Sequence, residues 1–154
     1  MALTEPISCL YAFAACAGFC VLFNIHGWGI FFCSLPGGLG WLVYLLAAGL
    51  GGGGDLVGSF AAAMAIALYA EIMARLRKYP TTSYIIIGCL PLVPGGGIYY
   101  TMEYAVAGRG DEFLSSLLHT LGLAGAMALG ILLVGSLARL VTGIARRRGE
   151  RRKA

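Results

Sequence analysis

Charged residues are scarce in this chain of 154 residues, of which only 12% are Asp, Glu, Lys or Arg. A typical soluble domain has roughly a quarter of its residues charged. Apolar runs of about 20 residues recur between the charges, and each is long enough to cross a bilayer as a helix. The low charge content leaves no room for a separate soluble domain and indicates an all-α integral membrane protein.

Other absences narrow the class further. The chain has no CxxC pair, and its five cysteines all lie inside apolar runs, which argues against a zinc site or a disulfide framework. These cysteines are Cys9, Cys16, Cys20, Cys33 and Cys89. No Ser-His-Asp set, paired-carboxylate site or phosphate loop is found. We therefore predict a protein that is not an enzyme and that holds no metal or cofactor.

The net charge of +4 does not indicate a nucleic-acid partner, because of where the charges lie. Most basic residues fall in one short loop, RLRK at 75–78, and in the C-terminal segment RRRGERRKA. This pattern is typical of membrane topology. The N-terminal segment MALTEPIS lacks the positive region of a signal peptide, so the first apolar run is expected to remain as a membrane helix.

Hydropathy predicts five membrane spans, at about 6–25, 28–48, 56–74, 82–104 and 113–141. Residues 1–141 would form one transmembrane domain, followed by a basic cytoplasmic tail at 142–154. An outside N-terminus puts both basic clusters on the cytoplasmic side, whereas four spans would separate them. The second span contains a potential weak point, SLPGGLG.

The fourth span contains the sequence CLPLVPGGGIYYTMEY, which combines helix-breaking residues with apolar flanks. Pro91 lies about nine residues into the span, or roughly 13 Å deep, so the PLVPGGG break is expected near mid-membrane. Broken helices at this depth commonly form the substrate sites of secondary transporters. The predicted substrate-binding residues are Pro91, Pro94, Gly95, Gly96, Gly97, Tyr99 and Tyr100. A simple proline kink, with the tyrosines as interfacial anchors, is the alternative interpretation.

Three titratable side chains are candidates for proton coupling. Glu71 is an acid within a span, but Arg75 four residues later also allows a surface ion pair. Glu103 follows the break and falls near the outer interface, where a solvated carboxylate costs little. His119 is the third candidate because histidine is the side chain most commonly used to carry protons near physiological pH, yet ordinary packing also explains it.

Small residues recur at four-residue spacing on the fifth span, at Gly122, Ala126 and Gly130. Such a stripe lets helices approach closely. The partner is either another helix of this chain or another subunit, including a second copy of the chain.

The segments FCVLFNI, GWLVYLL and YAEIMARLRKYPTTSYIIIGCLPLVPGGGIYYTM resemble the threonine/serine exporter family. The similarity is to its smaller five-helix module, which is the C-terminal half of fused exporters and a separate subunit in split ones. It covers roughly residues 9–141. The most specific parts are Glu71 with Arg75 and the PLVPG stretch from Pro91 to Gly95.

This resemblance implies proton-driven export of small polar metabolites across the bacterial plasma (inner) membrane. Fused members export threonine and serine, and split pairs are linked to dicarboxylates such as succinate. Because the other half is missing from this chain, the resemblance also implies a larger partner subunit in the same lipid membrane. The alternatives are a non-transporting membrane scaffold and a homo-oligomeric channel.

Overall fold

The computed structural model describes residues 4–50 and 54–151, and within them the side chains of residues 7–49 and 54–142. Over these ranges the regular structure is entirely helical, with no strand. The helices are α1 (Thr4–Leu22), α2 (Trp28–Leu50), α3 (Gly54–Arg77), α4 (Thr81–Cys89), α5 (Gly95–Val106) and α6 (Gly110–Arg151), with a 3-10 turn at Leu90–Leu92 between α4 and α5.

Among the described residues, three helices are long and apolar enough to cross a membrane. They cover Trp28–Gly49, Gly54–Arg77 and Gly110–Thr142. The bent pair Thr81–Leu92 and Gly95–Val106 provides a fourth span if it crosses as one unit. The described apolar part of α1, Ile7–Leu22, is shorter. The all-helical membrane class is thus confirmed, whereas the count of five spans stays a prediction.

Contacts along α3 and α6 show that these two helices run parallel. His119 lies 3.8 Å from Asp55 near the start of both helices, and Arg75 bonds Thr142 at 2.8 Å toward the other end. We call the two ends of the bundle the Asp55 end and the Arg75 end. Because α4 follows α3 and α5 precedes α6, the α4–α5 pair runs from the Arg75 end to the Asp55 end.

The segment SLPGGLG, which was predicted as a weak point of the second span, is helical, because α2 continues through Pro36. Proline has no N–H, so the carbonyl four residues earlier loses its helical donor. That carbonyl, on Phe32, accepts a bond of 2.9 Å from the Tyr69 hydroxyl of α3. The neighbouring helix therefore replaces the donor that the proline removes.

The small-residue stripe of α6 contacts α3 of the same chain. A Cβ on Gly130 would lie 2.8 Å from the Phe60 carbonyl oxygen, and one on Gly122 would lie 3.1 Å from Leu56. At both glycines, the small side chain therefore allows α6 to pack closely against α3 of the same chain. It also holds the parallel α3–α6 pair together along its length.

Candidate functional site

The α4–α5 pair is bent by 54° at the break. Pro91 cannot donate to the Ile87 carbonyl, which instead accepts bonds from the Leu90 N–H and, at 3.1 Å, from the Cys16 thiol of α1. Beyond the prolines, the Val93 N–H reaches Cys89 and Leu90, and the Gly95 N–H reaches Val93. The backbone at the break is therefore hydrogen-bonded despite the missing donors.

Side chains around the break have contrasting surroundings. Leu92 and Cys89 are buried in a cluster with Ile66 and Met127. Gly95 and Gly96 are open, with no atom within 4 Å of an added Cβ. Tyr99 and Tyr100 are exposed and contact each other edge to face at 5.5 Å between ring centroids. These predicted substrate-binding residues do not form a single enclosed pocket around the break.

A hydroxyl seam, formed by Thr101, Ser116 and Thr120, joins α5 to α6. The Thr101 hydroxyl lies 2.8 Å from that of Ser116 and donates at 2.6 Å to the Gly97 carbonyl. Thr120 donates to the Ser116 carbonyl at 2.8 Å. A Cβ on Gly97 would lie only 2.5 Å from Thr120 Oγ1. The start of α5 is thus fixed directly against α6.

Glu71 lies near the Arg75 end of α3 with 25% of its side chain exposed. Its Oε2 contacts Arg75 at 3.5 Å. Arg75 also reaches α6, at Thr142 (2.8 Å) and at the Ala138 carbonyl (3.4 Å). The ion pair that the sequence suggested is therefore present within α3, and the hydrogen bonds of Arg75 link α3 to α6.

A cavity of about 310 Å³ opens beside Glu71 between α3, α4 and α6, and we call it the Glu71 cavity. Its polar lining residues are Glu71, Arg139 and three residues that carry a hydroxyl group. The lining residues are Ala67, Glu71, Thr81, Thr82, Ile85, Ile131, Leu132, Gly135, Ser136 and Arg139. Thr81 and Thr82 begin α4, whose N-terminal end carries positive partial charge.

Arg139 was missed by the sequence analysis, although a signal for it was present. It follows the apolar run ILLVGSLA in the last predicted span. A charge in such a position is a functional candidate by default. What the sequence could not give is that Arg139 and Glu71 line one cavity, because the two residues are far apart in the chain.

His119 lies at the opposite end of the bundle from Glu71. Its Nε2 is 3.8 Å from Asp55 Oδ2, and the Tyr44 hydroxyl donates to Asp55 Oδ1 at 3.0 Å. Asp55 and Glu71 are sixteen residues apart on α3, which is about 24 Å of helix. Glu103 is exposed on α5. The structure therefore does not bring the three proton-coupling candidates together.

The helical bundle, with its long apolar helices, broken helix and charged cavity, belongs to the class of multi-pass membrane proteins. A family model described as "Threonine/Serine exporter, ThrE" matches residues 8–137. The chain therefore belongs to the threonine/serine exporter family, a family of membrane exporters, and the resemblance to this family seen in the sequence is confirmed. The closer similarity to the separate subunit of split exporters stays a prediction. No curated protein and no solved structure gives a significant match.

Proposed function

We propose that this chain is a component of a proton-driven exporter of small carboxylate-bearing metabolites in the bacterial plasma membrane. Threonine and serine, or dicarboxylates such as succinate, are the candidate substrates. The observation that carries the proposal is the Glu71 cavity, where Arg139 offers a cation to a carboxylate inside an exporter-family protein. Helix α4, the first half of the bent α4–α5 pair, contributes to the lining of that cavity.

The Arg75 end is the cytoplasmic end in this proposal. Arg75, Arg77 and Lys78 lie there, and the basic stretch after Thr142 follows from the same end of α6. Positive charge concentrates on the cytoplasmic side of membrane proteins. The N-terminus then lies outside, α1 completes five spans, and the Glu71 cavity opens toward the cytoplasm.

The break in the α4–α5 pair is the proposed gate. Ile85 and Ile131 line the Glu71 cavity and also pack against the buried cluster that contains Cys89 and Leu92. This apolar layer separates the cavity from the break, as expected of a transporter open to one side only. Movement of α4 against α5 at the bend would open the layer. The exported molecule would then pass Pro91, Pro94, Gly95, Gly96 and Gly97, and afterwards Tyr99 and Tyr100.

Proton coupling is assigned to Glu71 at the cytoplasmic end and His119 at the outer end, with Glu103 as a further outer candidate. The separation of Glu71 from His119 along the bundle supports uptake and release of protons on opposite sides. A larger partner subunit of the same family completes the exporter, and its side chains supply part of the pathway. A second copy of this chain is the alternative partner.

Reconstitution tests the proposed function. The chain, with any subunit that copurifies, should release labelled serine, threonine or succinate from proteoliposomes when a proton gradient is imposed. An uncoupler that collapses the gradient should reduce the initial rate to that of protein-free liposomes. The initial rate of label release is the measurement.

The same assay distinguishes the competing interpretations. A scaffold would leave release at the protein-free rate even when a partner is bound. A homo-oligomeric channel would release substrate without a gradient and without a partner. Either result would contradict the proposed function.

A further inference from the structure

A groove of about 430 Å³ lies between α3 and α6, and all of its lining residues fall within 64–75 and 134–141. We call it the Arg75 groove. Its charged lining residues are Glu71 and Arg75, and the others are apolar. We propose that this groove binds an anionic phospholipid, with an acyl chain along the apolar wall and the phosphate at Arg75. The inference does not depend on which metabolite the protein exports.

The length of the groove matches one leaflet of a bilayer. Its lining on α3 extends from Met64 to Arg75, which are eleven residues apart and therefore about 16 Å apart along the helix. Half of the hydrocarbon layer is about 15 Å thick. A lipid with its headgroup at the Arg75 end would therefore extend its chain along the groove to about the middle of the membrane.

The apolar wall suits a flexible chain better than a closely packed helix. Leu68, Ile72 and Leu137 line the groove, and each is at least half exposed. Close helix contacts in membranes use small residues instead. The small residues at Gly130 and Ala63 are already packed against each other where α6 meets α3. The wall of the groove is therefore a surface for a lipid chain, which adapts to large side chains.

Arg75 keeps hydrogen-bond donors for a phosphate. Its bonds to Glu71, Thr142 and the Ala138 carbonyl all start from Nη2. The remaining nitrogens, Nε and Nη1, carry three further N–H groups, and these have no acceptor among the described residues. The side chain is 51% exposed. A phosphate can therefore accept charge-assisted hydrogen bonds from Arg75 while Nη2 stays attached to α6.

The charge at this end of the bundle favours an anionic headgroup over a zwitterionic one. One carboxylate, Glu71, lies there together with four cations, which are Arg75, Arg77, Lys78 and Arg139. Within the part of the chain whose side chains are described, Arg77, Lys78 and Arg139 form no ion pair. Basic residues clustered at the end of a membrane helix attract anionic lipids. A zwitterionic headgroup brings its own cation and gains less from this cluster.

Native mass spectrometry of the purified full chain, with any subunit that copurifies, tests the proposal. The protein in detergent is titrated with anionic phosphatidylglycerol or with zwitterionic phosphatidylcholine of the same acyl chains. One phosphatidylglycerol per chain should bind at least about tenfold more tightly than phosphatidylcholine, because it adds charge-assisted hydrogen bonds. Glycerol 3-phosphate, which has the phosphate but no acyl chain, should not displace it.

Substitution of Arg75 tests the headgroup contact. Arg75→Gln should weaken this one phosphatidylglycerol at least about tenfold, and Arg75→Lys, which keeps the charge, should retain part of the affinity. Arg109→Gln is the matched control, because Arg109 is an exposed arginine in an ion pair of 2.7 Å at the other end of the bundle. It should bind the lipid like the unaltered chain.

A second substitution tests the acyl-chain contact without changing any charge. Ala138→Phe places a large side chain in the groove, so it should weaken phosphatidylglycerol binding at least about tenfold by excluding the chain. Ala128→Phe is the matched control, since Ala128 is exposed on the same helix and does not line the groove. This pair decides the question if Arg75→Gln does not fold.

Several results would overturn the inference. These are equal affinity of the unaltered chain for the two lipids, an Arg75→Gln variant that keeps the tight phosphatidylglycerol, and equal loss of lipid from Ala138→Phe and Ala128→Phe. The same spectra report the mass of the protein assembly. If Ala138→Phe releases a second copy or a copurified subunit and leaves the lipid bound, the groove is a protein interface and the inference also fails. The proposed export function is tested separately, by metabolite release, and stands or fails on that result.

Discussion

Replacing Gly130 by alanine should markedly destabilise the protein and abolish export. The added Cβ would lie 2.8 Å from the Phe60 carbonyl oxygen, 3.1 Å from Ala63 Cβ and 3.2 Å from the Met64 nitrogen. These atoms belong to the backbone and a short side chain of α3, so none can rotate away. The α3–α6 pair must separate, and overpacking of this kind costs about 1–3 kcal/mol.

The loss of export follows because α3 and α6 contribute Glu71 and Arg139 to the lining of one cavity. Gly125→Ala is the matched control on the same helix, since nothing lies within 4 Å of a Cβ at that position. It should leave the unfolding midpoint unchanged or slightly raised, because alanine favours helix more than glycine does. Equal midpoints for the two variants in a detergent melt would contradict the α3–α6 contact.

Replacing Gly97 by alanine should reduce the initial export rate at least about tenfold. A tenfold change corresponds to about 1.4 kcal/mol of free energy. The new methyl group would meet Thr120 Oγ1 at 2.5 Å, and the Thr120 Cβ and Cγ2 at 3.4 Å. This clash lies at the first turn of α5, beside the break. Displacement of α5 there disturbs both the hydroxyl seam and the proposed gate.

A second substitution should reverse this effect. Thr120→Ala removes the hydroxyl and the Cγ2 methyl, so Gly97→Ala together with Thr120→Ala should regain much of the lost rate. Gly125→Ala is the control for folding and assembly, because its Cβ would meet nothing within 4 Å. A double variant no faster than Gly97→Ala alone would show that Gly97 does not act through Thr120.

The positions of several helices could be predicted from the sequence, because the hydropathy of a span depends only on the residues of that segment. The predicted second span, 28–48, compares with α2 at Trp28–Leu50, and the predicted third span, 56–74, compares with α3 at Gly54–Arg77. The last span was predicted to end at 141, whereas α6 continues through Arg151, since arginine is a good helix former.

The site was harder to predict because its parts come from distant segments. Glu71 was selected as an acid in a span, but its neighbours Thr81 and Arg139 depend on how α3, α4 and α6 pack. Likewise, local rules made Pro36 a weak point, and the tertiary bond from Tyr69 to Phe32 keeps the helix intact there. Local patterns therefore located Glu71 and the prolines but not Arg139, and only the packing revealed which residues meet.

Chemical labelling of a cysteine in the Glu71 cavity tests the central claim most directly, namely that a cytoplasm-facing cavity holds the exported metabolite. Ser136→Cys introduces a thiol in the cavity wall, while four of the five native cysteines are buried and give little background. A membrane-impermeant maleimide should label this thiol in inverted membrane vesicles and not in right-side-out ones. The metabolite that the reconstituted exporter releases, whether serine, threonine or succinate, should slow the labelling. Labelling from the outside only, or labelling that this metabolite leaves unchanged, would contradict the account.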